Sequence, residues 1–219
     1  WIGNLFVILS FTASLLAATA YWYGHKSGDD SWKSLGRRAF LVHAGSVIGI
    51  IVLLLFLITQ HRFEYYYVWE HSNTQMPMRY ILSCLWEGQE GSFLLWTFWH
   101  VMLGLILIRR SGVWENSVMF IVSLAQVFLA SMILGVIIFG YKLGSNPFTL
   151  LREHPDFAEL PFIRFPDYLQ RLKDGRGLNP LLQNYWMTIH PPTLFLGFAT
   201  TIVPFAYAIG GLLRKQYDQ

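Results

Sequence analysis

Residues 39–59 read Ala39-Phe40-Leu41-Val42-His43-Ala44-Gly45-Ser46-Val47-Ile48-Gly49-Ile50-Ile51-Val52-Leu53-Leu54-Leu55-Phe56-Leu57-Ile58-Thr59. No Asp, Glu, Lys or Arg interrupts them, and about 20 such residues in a helix cross the hydrocarbon core of a bilayer. Four further runs share this character: Ile2 to Trp22, Phe93 to Ile108, Val118 to Phe139 and Thr193 to Leu213. The expected fold is therefore all-α, a polytopic integral membrane bundle of about five transmembrane helices forming one transmembrane domain over 1–219. Lipid tolerates only backbone that is satisfied internally, so these helices should pack on one another. Gly45, Gly49, Gly104 and Gly135 are expected where helices approach closely.

Composition agrees. The 219 residues are 54% hydrophobic and only 13% charged, against roughly 25% charged in soluble domains. Nine Trp and eleven Tyr suit the membrane–water boundary. The lone cysteine, Cys84, excludes an internal disulfide and reads as a small buried hydrophobe. The net charge of +3 is spread out, and nothing points to nucleic acid. The chain starts at Trp1, so a preceding segment is expected. The first apolar run is too long for a cleavable signal peptide and lacks a small-residue cleavage site.

Orientation follows from the basic residues. The connections after spans one, three and five carry Lys26, Lys33, Arg37, Arg38, Arg109, Arg110, Arg214 and Lys215 against Asp29, Asp30, Glu115 and Asp218. The two long connections, about 60–91 and 141–190, hold eight basic and nine acidic residues. The short connections are therefore expected in the cytoplasm and the long ones outside. The first long connection, from His61 through Tyr65-Tyr66-Tyr67 to Pro77, is too aromatic for disorder. The second is broken by Pro147, Pro155, Pro161, Pro166 and Pro180, leaving room for short helices around 150–160 and 166–173.

Two stretches could carry chemistry. Trp86-Glu87-Gly88-Gln89-Glu90-Gly91-Ser92 has glycines for a tight turn, Ser92 as an N-cap and Glu90 near the positive helix end. It reads either as a structural turn or as carboxylates that meet a cation. Gly177-Leu178-Asn179-Pro180-Leu181-Leu182-Gln183-Asn184 is a polar loop leading to His190-Pro191-Pro192. Asn179 and Gln183 are expected to hold the loop by side-chain-to-backbone bonds. Pro191 and Pro192 are expected to start the fifth helix, because proline suits its first turn. His190 then stands at the boundary, either as a satisfied structural imidazole or as a metal or haem-iron ligand. His43 is expected near the inner end of span two. His100, in mid-span, is either bonded to a neighbouring helix or functional. No HExxH or HxxxH pair suggests a self-contained metal site.

These residues, in this order, resemble the N-terminal part of the CcmF family, within the CcmF/CcsA haem-handling proteins. The resemblance rests on Tyr65-x-Tyr67-Val68-x-x-His71-Ser72-Asn73-Thr74-Gln75-x-Pro77-x-x-Tyr80 and Trp86-x-Gly88-x-Glu90-Gly91-Ser92-x-Leu94-Leu95-Trp96. It continues in Asn146-Pro147-Phe148, Leu178-Asn179-Pro180-Leu181-Leu182-Gln183 and His190-Pro191-Pro192-x-Leu194-Phe195-x-Gly197-Phe198. It implies a part in a cytochrome c haem lyase of the bacterial inner membrane, with the long connections in the periplasm. It implies haem b as the group handled, with His190 as an axial ligand of its iron. Trp86, Glu90, Asn179, Gln183 and Pro191 would be further haem-site residues. The implied partners are apocytochrome c with its CxxCH motif, a CcmE-like haem carrier, a CcmH-like thiol-reducing protein, and the rest of CcmF or a second CcmF half. Glu87 departs from the family's usual Trp-Gly-Gly or Trp-Gly-Ala, and no WWD-type tryptophan run occurs before Gln219. The competing reading is an accessory membrane subunit without haem of its own. A transporter fits less well, because the spans carry almost no ionisable residues.

Overall fold

The computed structural model describes residues 1–172 and 174–216. Lys173 and Asp218, counted above in the charge balance, lie outside them. Helix α1 (Ile2–Ser27) ends at Gly28 in the left-handed region, φ 70°. Asp29 then caps α2 (Asp30–Thr59) by accepting from Ser31 N at 2.8 Å. The buried face of α1 repeats as Gly3, Val7, Ser10, Ser14, Ala17, Tyr21 and Gly24, a spacing of three and four residues. Leu5, Ile8, Leu15 and Leu16 are exposed. Small residues at the helix contact and large apolar ones toward lipid are the membrane pattern, since close approach and dispersion hold such helices together.

The first long connection contains α3 (Tyr66–His71) and α4 (Met78–Glu87), which runs through Gly88 into α5 (Gln89–Arg110). After a short 3-10 turn comes α6 (Glu115–Leu134). The second long connection carries a two-stranded hairpin, β1 (Val136–Ile138) and β2 (Tyr141–Leu143), then α7 (Pro155–Ala158) and α8 (Tyr168–Arg171) between 3-10 turns. The last span is α9 (Tyr185–Thr200) and α10 (Ile202–Arg214). Among the described residues, five spans are long and apolar enough to cross a membrane, as expected. The bundle centres on α6, packed on α1, α5 and α10, with α2 against α1. Helix α5 bridges α2, α6 and α9.

Several boundaries depart from expectation. Span two begins at Asp30 rather than 39, because Asp29 provides the cap. Span three runs 89–110 rather than 93–108, so Ser92 lies inside α5 and donates to Trp86 O instead of capping. Span four ends at Leu134, not Phe139. Gly135 turns left-handed, the β-branched Val136, Ile137 and Ile138 extend, and Phe139 and Gly140, both at positive φ, make a two-residue hairpin turn. Span five starts at Tyr185, eight residues before the expected 193, with Asn184 as its cap. It breaks at Thr201, where Pro204 leaves the Thr200 carbonyl without its helical donor. Of the four glycines, Gly49 and Gly104 do sit where helices meet, against Phe6 and Phe40. Gly45 faces open space, and Gly135 ends α6.

His43 is not near the inner end. It lies midway along α2, wholly buried. Its Nδ1 donates to Ser10 O at 2.9 Å, and its Nε2 meets the Gln126 side-chain amide at 2.8 Å. It thus ties α1, α2 and α6 together. At the end of the bundle bearing the short connections, Arg37 of α2 forms a two-pronged pair with Glu115, 2.6 Å at each prong.

The two long connections form one cap. Tyr66 N donates to Thr149 O, and Leu151 N donates to Glu64 O. Arg176 N donates to Trp69 O, and Thr74 donates to the Asp174 carboxylate through both N and Oγ1. Burial would raise the Asp174 pKa, but these bonds and one from Gly175 N hold it below the usual carboxylate range. The ring of His154 stacks on Tyr66, centroids 3.5 Å apart.

Candidate functional site

The α4–α5 elbow is built around Tyr67 of α3. Its hydroxyl donates to the carbonyls of Cys84 and Leu85, 3.0 Å each, and accepts from Gly88 N at 3.3 Å. The α4 carbonyls would otherwise end in apolar surroundings without a partner. Burial pushes the Tyr67 hydroxyl well above the ordinary phenol value. Cys84 is buried, as expected. Burial raises its thiol pKa to about 12, which removes it from thiolate chemistry. The turn is too tight for side chains at two positions. A Cβ on Gly91 would stand 1.7 Å from Leu85 O, and one on Gly88 2.5 Å from His71 Nε2.

Between this elbow and the 177–182 loop lies a cavity of about 560 Å3. Glu70, His71, Glu87, Arg176 and Asn179 line it. His71 Nδ1 stands 3.2 Å from Glu87 Oε2, a charge-pairing distance, although Oε2 makes no hydrogen bond. Arg176 pairs with Glu70. The wall thus mixes both signs of charge on otherwise apolar surroundings.

The expected loop bonds are present. Asn179 Oδ1 accepts from Leu181 N at 3.0 Å, and Gln183 Nε2 donates to Leu178 O at 3.0 Å. His190 is exposed and lines a smaller groove of about 190 Å3 with Leu182, Asn184, Trp186, Met187 and Pro191. Leu182 borders both hollows. Pro191 and Pro192 do not start the helix. They lie inside α9, about two turns from its cap, so His190 projects from a helix and not from a loop end. The exposed surface around it is apolar and aromatic: Trp186, Ile189, Leu194 and Phe198. One exposed imidazole beside a shallow, mostly apolar groove is a donor suited to one axial position on a planar apolar macrocycle.

The other expected residues take different places. Trp86 spends its indole N–H on Met187 O, at 2.9 Å. Glu90 sits half-buried in the first turn of α5, where its charge suits the helix dipole. It is not brought to His190 by any hydrogen bond or ion pair among the described residues. His100 is buried in α5 beside Trp96, and its Nδ1 has no hydrogen-bond partner among the described residues. Sequence reasoning missed the His71–Glu87 and Glu70–Arg176 pairs. Both connections showed acidic and basic residues, but nothing in the spacing joined position 70 to 176. Among the described residues, no group of three or more His, Cys, Asp or Glu side chains is arranged for a metal ion.

A family model described as "Cytochrome C assembly protein" matches residues 86–218. Over 99% of its length the chain is 31% identical to the cytochrome c-type biogenesis protein CcmF of Haemophilus influenzae. It is 32% identical, over the same share, to the CcmF of Pseudomonas fluorescens. It spans about 30% of the length of each of these relatives. Its fold is similar to that of the solved cytochrome c heme lyase CcmF, with a TM-score of 0.72 at 22% identity, covering 100% of this chain and 31% of that one.

Proposed function

Since the chain belongs to the cytochrome c assembly protein family, we propose that it receives haem b at the outer face of the bacterial inner membrane during cytochrome c maturation. The carrying observation is the exposed His190 on the apolar face of α9, at the end of the bundle where the cap folds. In this reading His190 Nε2 or Nδ1 ligates the haem iron. Haem is the substrate; its vinyl groups are the carbons to which the two thiols of a CxxCH motif in apocytochrome c become joined.

The chain's own residues bind and orient. Trp186, Ile189 and Leu194 offer the macrocycle an apolar wall that keeps water from one face. Asn179 and Gln183 fix the loop whose Leu182 borders the His190 groove. Pro191 and Trp86 act on α9, and Glu90 supports the start of α5. Holding a vinyl and a thiol in register lowers the barrier by several kcal/mol without acid–base chemistry from the protein. The long connections lie in the periplasm, where a CcmE-like carrier, a CcmH-like reductant and apocytochrome c can reach the cap. The rest of a CcmF-type chain, or a second half, would cover the opposite side of α9 and α10, the least buried of the five spans.

The test is cytochrome c yield by haem stain in cells that rely on this protein. His190→Ala should reduce covalent haem at least tenfold while membrane levels of the protein stay unchanged. Undiminished yield would favour an accessory subunit that handles no haem.

A further inference from the structure

In an α-helix each carbonyl accepts from the amide four residues on. Pro191 has no amide to offer Met187 O, and Pro192 none to offer Thr188 O. The proline ring also crowds the carbonyl one turn back and bends the helix there. A carbonyl left open away from water is costly, and a neighbouring donor is the usual remedy. Here that donor is Trp86 of α4. Its Nε1 reaches Met187 O, the carbonyl Pro191 leaves open, at 2.9 Å. Close by, the hydroxyls of Ser83 and Thr188 meet at 3.3 Å, so two contacts tie α4 to this turn. Trp99 of α5 donates to Pro192 O at 3.0 Å. His190 lies between the two anchored carbonyls, immediately before the proline pair.

We infer that Trp86 is a positioning residue for His190: its indole N–H replaces the backbone donor that Pro191 lacks, and so sets the bend of α9 that aims the imidazole. A turn without its own hydrogen bond has no fixed bend, and the external donor supplies one. The geometric part stands on the hydrogen bond alone. What His190 does once aimed rests on the haem reading above.

Pro191→Ala restores an amide that can serve Met187 O from within the helix. The Trp86 N–H then becomes dispensable. The experiment compares wild type, Trp86→Phe, Pro191→Ala and the double variant, each as the complete chain in detergent. Hydrogen–deuterium exchange is read over 185–190, and bound haem is read by absorption. Trp86→Phe should speed exchange about tenfold, the scale of one lost hydrogen bond, and lower haem occupancy. The double variant should return toward Pro191→Ala in both. Trp99→Phe serves as the control. Pro192 O keeps Leu196 N as a possible helical donor, so Pro191→Ala should not rescue that variant. If Trp86→Phe fails to fold, benzothienylalanine at 86 keeps the ring shape and removes only the N–H.

Equal losses from the Trp86 change with Pro191 and with Ala at 191 would overturn the inference and reduce Trp86 to packing. Rescue of exchange, with haem occupancy indifferent to both Trp86→Phe and His190→Ala, would uphold Trp86 as the helix donor. It would remove the haem reading instead.

Discussion

At the residue scale the elbow under α4 is the most constrained point. Tyr67→Phe removes the donor to two carbonyls and the acceptor for Gly88 N. We expect a loss of about 1–3 kcal/mol, the cost of leaving buried backbone groups unpaired. It would be read as a lower thermal midpoint in detergent. Gly91→Ala should do worse, because its Cβ meets the Leu85 carbonyl, a backbone group that cannot swing aside, as well as the Tyr67 hydroxyl. We expect failure to accumulate in membranes, checked by immunoblot. The Arg37–Glu115 pair predicts an asymmetry. Glu115 is 1% exposed, whereas the Arg37 side chain is 46% exposed. Arg37→Ala strands a buried carboxylate that Lys33, at 3.5 Å, only partly compensates. Glu115→Gln leaves a guanidinium that can turn to water. The first should lower the thermal midpoint clearly more than the second.

At the scale of elements, the spans were legible because apolar runs of the right length have few alternatives in lipid. Their ends were not, because single polar or glycine residues set them. Asp29 and Asn184 lengthen two helices, and Gly135 cuts a third short despite the apolar Val136-Ile137-Ile138 that follows. The proline pair misled for a physical reason. Proline is favoured in a first turn, but here Trp86 serves the carbonyl that Pro191 leaves open deeper in the helix. The candidate site was half legible. His190 and the Asn179–Gln183 loop stood out by residue type and order. The His71–Glu87 pair needed the elbow, and the Glu70–Arg176 pair needed the docking of two connections that brings together residues 106 positions apart. One of those docking contacts is sensitive to pH. Burial lowers the His154 pKa below the ordinary imidazole value of about 6.5. Its neutral Nδ1 also accepts from Asp156 N at 3.4 Å, which a protonated ring cannot do. A depressed folded pKa means stability that is complete above 6.5 and lost as pH falls through the folded value. Amide protection over 151–160, corrected for the intrinsic pH dependence of exchange, should therefore fall as the pH drops below about 6.5, and His154→Phe should abolish that fall. A flat profile in the wild type would contradict the stacking.

For the whole molecule, the cap concentrates what is chemically distinctive at one end of an otherwise apolar bundle, and the basic excess lies at the other. This orientation is testable with single cysteines in a Cys84→Ser background. Leu181→Cys, 85% exposed in the cap, should react with an impermeant maleimide added to the outer face of sealed right-side-out vesicles. Val113→Cys, 74% exposed beside a short connection, should react only after lysis. The reverse pattern would invert the topology and place His190 in the wrong compartment for cytochrome c.

The most direct test of the central claim is the reduced and oxidised absorption spectrum of the complete protein, purified in detergent as wild type and as His190→Gly, with and without added imidazole. The account predicts Soret and α bands that weaken or shift in the variant and return with imidazole filling the vacated axial position. Bands that are identical in both proteins, and indifferent to imidazole, would place any haem elsewhere and contradict it.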